Sequence, residues 1–158
     1  MANVFNAAEI IDIGIEKEKR RRDFYGLVAA QFRDREMADL FTRLRDWEDQ
    51  HIRKFTDIRN SVTEDETTES YKGELAAYMN ALVDNMLYES VVATQFAQNV
   101  KTPLQAIRFG MVFEKDAILF FNELLKYMTA EHRERVIELI DEEKRHLVYL
   151  SELKTRYE

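Results

Sequence analysis

Glu143-Lys144-Arg145-His146, near the end of the chain, places a glutamate and a histidine three residues apart. The same pattern occurs earlier as Glu48-Asp49-Gln50-His51. On a helix, two side chains three residues apart project from one face, so a carboxylate and an imidazole at this spacing can bind one small metal centre. The two stretches together would supply four ligands.

Each pair is preceded by a lone glutamate on an otherwise apolar helical face. Glu18 lies 30 residues before Glu48, and Glu114 lies 29 residues before Glu143. The chain therefore contains two copies of one unit, a glutamate followed by Glu-x-x-His. Dinuclear metal sites in four-helix bundles are built from this unit.

The composition predicts one all-α domain over residues 1–158. This length suits a single domain with a full core, and one proline with four glycines leaves little material for turns. The net charge of −7 argues against a nucleic-acid surface, and the absence of cysteine excludes disulfides and thiolate metal sites. The sequence has neither a signal-peptide pattern nor an apolar window of membrane length, so we expect a cytoplasmic protein.

Apolar residues that recur at spacings of three and four predict five helical segments. They are expected at about 6–32, 35–62, 71–99, 103–128 and 130–157. The predicted N-caps are Asn6, Asp34, Thr102 and Thr129. The segment 71–99 would lie in the long crossover that a bundle needs when its second and third helices run parallel.

Six polar residues share one level of the predicted bundle interior, and they are Glu18, Glu48, His51, Glu114, Glu143 and His146. Four buried carboxylates without cations would cost several kcal/mol each. Two divalent cations would balance them and leave the imidazoles neutral. The alternative is a buried salt-bridge network that uses Arg21 or Arg22. We favour the metal site and expect Arg22, which falls on the inward row, to lean out at its edge.

Three further residues bear on this site. Tyr25 lies two turns after Glu18 on the same face and is either ordinary core or a phenol that hydrogen-bonds a ligand carboxylate. Phe121 holds the equivalent place in the second repeat and cannot donate. Glu89 could approach the site from the crossover, although an exposed glutamate is the better prediction. His132 is expected at the surface or as a cap.

These residues resemble the ferritin-like superfamily and, within it, the rubrerythrin family. Residues 18–25 and 114–121, each a glutamate followed seven residues later by an aromatic, resemble the first and third helices of that family. The two Glu-x-x-His stretches resemble its second and fourth helices. The resemblance spans essentially the whole chain and implies a ferritin-like four-helix bundle with a long crossover that contains an additional helix.

The resemblance also implies a centre of two iron ions, for which manganese or zinc could substitute. Its implied ligands are Glu18 and Glu114 as terminal carboxylates, Glu48 and Glu143 as bridging carboxylates, and His51 and His146 as one imidazole per iron. The implied activity is that of a non-haem di-iron oxidoreductase, which reduces peroxide or oxygen with electrons from an external donor protein.

Two features depart from the family pattern. Rubrerythrins proper carry a rubredoxin domain with four cysteines, whereas this sequence has no cysteine, so its electrons would come from a separate protein. They also carry a glutamate three residues after the third-helix ligand, where this chain has Ala117. Alanine cannot take part in the ligand exchange that accompanies redox change in the family.

Two other functions remain open at this point. The centre could serve as a ferroxidase for iron storage or transfer, or the bundle could be non-catalytic, with metal as a structural staple or the crossover helix as a docking surface. A homodimer is also expected, because residues 71–100 offer more apolar surface than one bundle can cover.

Overall fold

The computed structural model of the chain describes residues 6–63, 74–83 and 97–158, and it contains no β-strand within these ranges. Its helices are α1 (Ala7–Gln31), α2 (Arg35–Ser61), α3 (Glu74–Val83), α4 (Pro103–Leu124) and α5 (Ala130–Tyr157). A short 3₁₀ turn, Leu125–Tyr127, follows α4. None of the helices in the described part of the chain combines the length and the apolar character that crossing a membrane requires.

Capping residues account for most of the helix starts. Asn6 forms a capping box with Glu9 at the start of α1, and Thr102 forms one with Gln105 before the proline that opens α4. At Thr129 the prediction is wrong in detail, since the residue stands at the N-cap position of α5 but its side chain makes no capping hydrogen bond. Backbone hydrogen bonds from the first turn of α5 to the Thr129 carbonyl are present instead.

The end of α4 differs from the prediction, which continued this helix to residue 128. The α-helix ends at Leu124, the next three residues form the 3₁₀ turn, and Met128 is extended. Tightening of the last turn into 3₁₀ geometry is common at helix ends. The apolar spacing of this segment gave no sign of the change, because its side chains still point into the core.

Contacts between helices define the topology. Arg59 pairs with Asp12 at 2.9 Å, so α1 and α2 run antiparallel, and the α1 residue Lys17 reaches Asp116 of α4 at 3.3 Å. Contacts from Gly14 to Phe120 and from Gly110 to Tyr25 make α1 and α4 antiparallel as well. Helices α2 and α4 therefore run parallel, and the chain between them must cross the length of the bundle. The prediction of an all-α bundle is confirmed.

The crossover is described only in part. Helix α3 and helical residues 97–99 lie within the predicted segment, and Lys17 Nζ donates a 3.1 Å hydrogen bond to the Leu82 carbonyl oxygen, which ties α3 to α1. Glu89 lies outside the described residues. So do most of the residues on which the homodimer prediction rests, and that prediction remains a prediction.

The core consists of two apolar clusters at different levels of the bundle. One contains Ile10, Ile11, Phe55, Ile58, Phe120, Phe121, Leu139 and their neighbours. The other contains Phe24, Val28, Leu40, Phe41, Ile107, Phe113, Leu150 and their neighbours. On each of the four long helices, the segment between the two clusters carries buried polar residues, and only Glu123 and His132 among the described residues are polar and buried outside these segments. The fold therefore holds one polar layer between two apolar ones.

Candidate metal centre

The structure brings all six sequence-predicted ligand residues into the polar layer. Helix α1 supplies Glu18 and α4 supplies Glu114, while α2 and α5 each supply one Glu-x-x-His pair. All six residues are buried. One ligand atom from each residue of the two pairs lies within 4.8 Å of the others, which is close enough to hold a metal ion.

One side of the layer is arranged around His51. Glu48 Oε2 and Glu143 Oε1 lie 3.8 and 3.0 Å from His51 Nδ1. Glu18 Oε2 lies 3.6 Å from the same nitrogen. We refer to Glu18, His51 and these two oxygens of Glu48 and Glu143 as the first half-site.

The other side is arranged in the same way around His146. Glu48 Oε1 and Glu143 Oε2 lie 4.0 and 3.2 Å from His146 Nδ1. Glu114 Oε2 lies 3.8 Å from that nitrogen. These atoms form the second half-site. Glu48 and Glu143, the two central carboxylates, therefore each present one oxygen to the first half-site and the other oxygen to the second. A bridging carboxylate needs this geometry.

A buried arginine, Arg21, lies within the layer with only 1% of its surface exposed. Its guanidinium forms an ion pair with Glu18 Oε1 and lies 3.2 Å from Glu48 Oε2 and 3.6 Å from Glu143 Oε1. Its Nη1 donates a 2.9 Å hydrogen bond to the Phe113 carbonyl oxygen. The carboxylates are thus partly neutralised by the chain itself.

Arg22 leans out at the edge of the layer as expected, and Arg21 is the arginine that enters it. Arg22 stays at the edge, with 31% of its side chain exposed, and pairs with Asp23 at 2.9 Å and Asp49 at 3.5 Å. Position 21 lies one turn after Glu18, so its long side chain can fold back toward that carboxylate. The salt-bridge network that was the alternative to a metal is therefore present and uses Arg21.

The pKa values in the layer show how charge is balanced without a metal. Burial raises the pKa of Glu48 well above its usual value and, with the charge of Glu143, raises the pKa of Glu114 to about 7. Burial alone would lower the pKa of His146, but the neighbouring carboxylates of Glu114 and Glu143 outweigh it and raise the pKa to about 9. The raised pKa values favour protons on these groups, and Arg21 adds a positive charge beside the carboxylates.

Several carboxylate oxygens nevertheless have no donor. Glu18 Oε2, Glu48 Oε1 and Glu114 Oε2 are buried and accept no hydrogen bond from any described residue. Such acceptors are costly to bury, and divalent cations satisfy them well. Carboxylates with imidazoles suit iron, manganese or zinc. The second half-site fits such an ion as it stands, whereas the first holds the Arg21 guanidinium against three of its carboxylates.

Tyr25 belongs to the apolar cluster that contains Phe24 and Ile107, and its side chain reaches the polar layer from there. It is fully buried, and its hydroxyl donates a 2.7 Å hydrogen bond to Glu114 Oε1. This bond fixes the Glu114 carboxylate with Oε2 directed at His146. The equivalent ring of the second repeat, Phe121, packs on Phe55 with ring centroids 4.6 Å apart. The two alternatives for Tyr25 therefore combine, because the residue is both core and hydrogen-bond donor.

Glu142 is a site residue that the sequence analysis missed. His51 Nε2 donates a 2.7 Å hydrogen bond to Glu142 Oε2, and Lys54 Nζ donates one of 2.6 Å to Glu142 Oε1. The hydrogen bond from His51 lowers the pKa of Glu142 to about 2. This arrangement holds a proton on Nε2 and orients Nδ1 toward the first half-site. The sequence offered one indication of this contact. Lys54 follows His51 by one helical turn, and Glu142 directly precedes Glu143, so the two oppositely charged residues stand next to predicted ligands.

A surface pocket of about 410 Å³ opens beside the two imidazoles. Its lining includes His51, His146, Trp47, Lys54 and Tyr149. The Trp47 indole stacks on the His146 ring with centroids 4.6 Å apart and planes 8° from parallel. A small molecule can therefore approach the polar layer from this side.

The third histidine does not belong to the centre, but its predicted surface position is wrong. His132 is buried in the first turn of α5. It lies on the same row as Val136 and Leu139, and this row faces the core, so the position is buried although the residue is polar.

Comparison with known proteins agrees with this fold. A crystal structure from Thermotoga maritima, described as a ferritin-like diiron-carboxylate protein, is 23% identical to this chain. The likeness covers 98% of this chain and 97% of that one with a TM-score of 0.76, which shows a shared fold. A comparison with curated proteins found no match. The family model for rubrerythrin matches residues 9–154, and the chain therefore belongs to the rubrerythrin family.

Proposed function

We propose that this chain is a non-haem di-iron oxidoreductase of the rubrerythrin type, which reduces peroxide or oxygen with electrons from an external donor. The observation that carries the proposal is the convergence of four carboxylates and two imidazoles on one buried layer. Carboxylate oxygens without donors lie beside imidazole nitrogens in that layer. Structural polar networks are normally satisfied internally, so these oxygens favour a cation.

The proposed ligand roles follow the two half-sites. Glu18 and His51 would hold one iron, Glu114 and His146 would hold the other, and the central carboxylates of Glu48 and Glu143 would bridge them. Bound iron would supply the redox electrons and an open coordination position for a small oxidant. The carboxylates would offset the added positive charge.

The surroundings of the layer suit this role. The apolar clusters on both sides exclude water from the ligands, and Tyr25 holds the Glu114 carboxylate in place. Glu142 holds a proton at His51 Nε2 and so orients Nδ1 inward. The pocket beside the imidazoles is the route that we assign to the oxidant.

The reducing electrons are assigned to a separate protein because the chain has no cysteine with which to bind an electron-transfer iron of its own. A homodimer remains part of the proposal. The pocket face carries Lys54 and the exposed Gln50 beside Trp47. A donor protein that docked on this face would lie close to Trp47, whose indole stacks on the His146 ring.

The test uses protein loaded anaerobically with ferrous iron and mixed with hydrogen peroxide or dissolved oxygen. We expect the bound iron to be oxidised faster than free ferrous iron in the same buffer, as followed by absorbance. The matched control is the Glu48→Ala, Glu143→Ala variant, which should show only the rate of free iron. Equal rates in both proteins would refute the oxidoreductase.

The same experiment separates oxidant reduction from iron handling. Excess ferrous iron is supplied with oxygen, and the oxidised iron is counted per chain. If oxidation stops at the bound ions until a reductant is added, the oxidoreductase is supported. Continued consumption of iron with formation of mineral would instead identify a ferroxidase.

A further inference from the structure

We propose that Arg21 is a built-in cation of the first half-site, so that the centre loads its metal ions unequally. The first divalent ion would enter the second half-site, and a second ion would enter only when the Arg21 guanidinium leaves. This inference rests on the proposed function in one respect, namely that the layer binds metal at all.

The described ion pairs of Arg21 with the carboxylates lie in the first half-site. The guanidinium pairs with Glu18 Oε1, lies 3.2 Å from Glu48 Oε2 and lies 3.6 Å from Glu143 Oε1. Glu48 Oε2 and Glu143 Oε1 are the oxygens that face His51 in the first half-site. A metal ion there would need the same oxygens, so the guanidinium and the ion compete for one set of ligands.

The described ion pairs place no lysine or arginine against the carboxylate oxygens of the second half-site. Glu48 Oε1 and Glu114 Oε2 accept no hydrogen bond from the described residues. His146 Nδ1 lies within 4.0 Å of both oxygens and 3.2 Å from Glu143 Oε2. An ion that binds here gains four ligand atoms without displacing an arginine.

The internal repeat shows that the difference between the two half-sites arises from one sequence position. Arg21 stands three residues after Glu18, and Ala117 stands three residues after Glu114. The two positions are equivalent in the repeat, and Ala117 is buried with a side chain too short to reach any carboxylate of the layer. A long cationic side chain therefore reaches one half-site, whereas the equivalent position of the other carries only a methyl group.

Binding a second ion has a predictable cost. A guanidinium that stays beside a divalent cation is repelled by it, and one that leaves must give up its hydrogen bond to the Phe113 carbonyl oxygen. The second ion should therefore bind more weakly than the first by roughly tenfold or more, the scale on which neighbours of a metal site change its affinity.

The direct test is a titration of the metal-free protein with Mn²⁺, followed by calorimetry and by electron paramagnetic resonance. In the parent we expect one tight ion with a mononuclear spectrum, and a spin-coupled pair only at excess Mn²⁺. In Arg21→Ala we expect the second ion to tighten by roughly tenfold or more. Arg22→Ala is the matched control and should behave as the parent.

Equal affinities for two ions in the parent would overturn the inference, and so would an unchanged second affinity in Arg21→Ala. A second pair of variants keeps the test independent of whether Arg21→Ala folds. Glu18→Ala should retain the tight ion, and Glu114→Ala should lose it; the reverse result would also overturn the inference. Absence of Mn²⁺ binding in every protein would refute the proposed function instead.

Discussion

The Tyr25 hydroxyl donates a 2.7 Å hydrogen bond to Glu114 Oε1 across the interface between α1 and α4. The two residues come from different repeats of the chain, so the bond ties the first repeat to a proposed ligand of the second. It also leaves Glu114 Oε2 facing His146 Nδ1 at 3.8 Å. The orientation of this carboxylate therefore depends on a residue that would not itself touch the metal.

Replacing Tyr25 with phenylalanine should weaken metal binding while preserving the fold. The change leaves Glu114 Oε1 buried without a donor, which costs about 1–3 kcal/mol in the metal-free protein. Loss of such a partner lowers metal affinity roughly tenfold or more. Thermal unfolding and Mn²⁺ titration measure the two effects. Tyr157→Phe, three turns beyond His146 on α5, is the control and should change neither.

Glu142→Ala should weaken binding at the first half-site. Glu142 holds His51 through the 2.7 Å hydrogen bond to Nε2, and without it the ring can rotate Nδ1 away from the ligands. A loss of roughly tenfold in affinity for the second ion is expected. Glu138→Ala, an exposed position one turn earlier on α5, controls for the loss of negative charge. Equal effects of the two variants would contradict an orienting role for Glu142.

The stability of the metal-free protein should fall as the pH rises through the neutral range. The carboxylates raise the pKa of His146 to about 9 from 6.5, so its protonated form stabilises the fold fully below pH 6.5 and loses this contribution as the pH passes about 9. Urea unfolding at several pH values measures the trend. His146→Ala should show a smaller decline, and an identical decline in both proteins would contradict the assignment to His146.

Fluorescence from the single tryptophan should report metal binding. Trp47 stacks on His146 at a centroid separation of 4.6 Å, so a paramagnetic ion bound by that imidazole lies close enough to quench the indole. Titration with Mn²⁺ should quench most of the signal with the first ion. In His146→Ala the quenching should be weak or should require excess metal. A parent signal that responds only to the second ion would contradict binding at the second half-site first.

Much of the centre could be predicted from the sequence because its ligands follow helical spacing. Glu48 and His51 share a face on any helix, and lone carboxylates such as Glu18 stand out on an apolar row. The rest depends on helix packing and on side-chain reach. Arg21 lies just off the inward row and enters the layer only through its long side chain, and the pairing of Glu142 with His51 depends on how α5 faces α2.

The iron content of protein loaded under controlled conditions shows directly whether the buried layer binds metal. Metal-free protein is incubated anaerobically with ferrous iron, freed of unbound metal, and analysed for iron per chain beside the Glu48→Ala, Glu143→Ala variant. We expect at least one tightly retained iron in the parent and none in the variant, with equal helix content by circular dichroism. A folded parent that retains no iron would contradict this expectation, because the buried carboxylates would then serve only the network around Arg21.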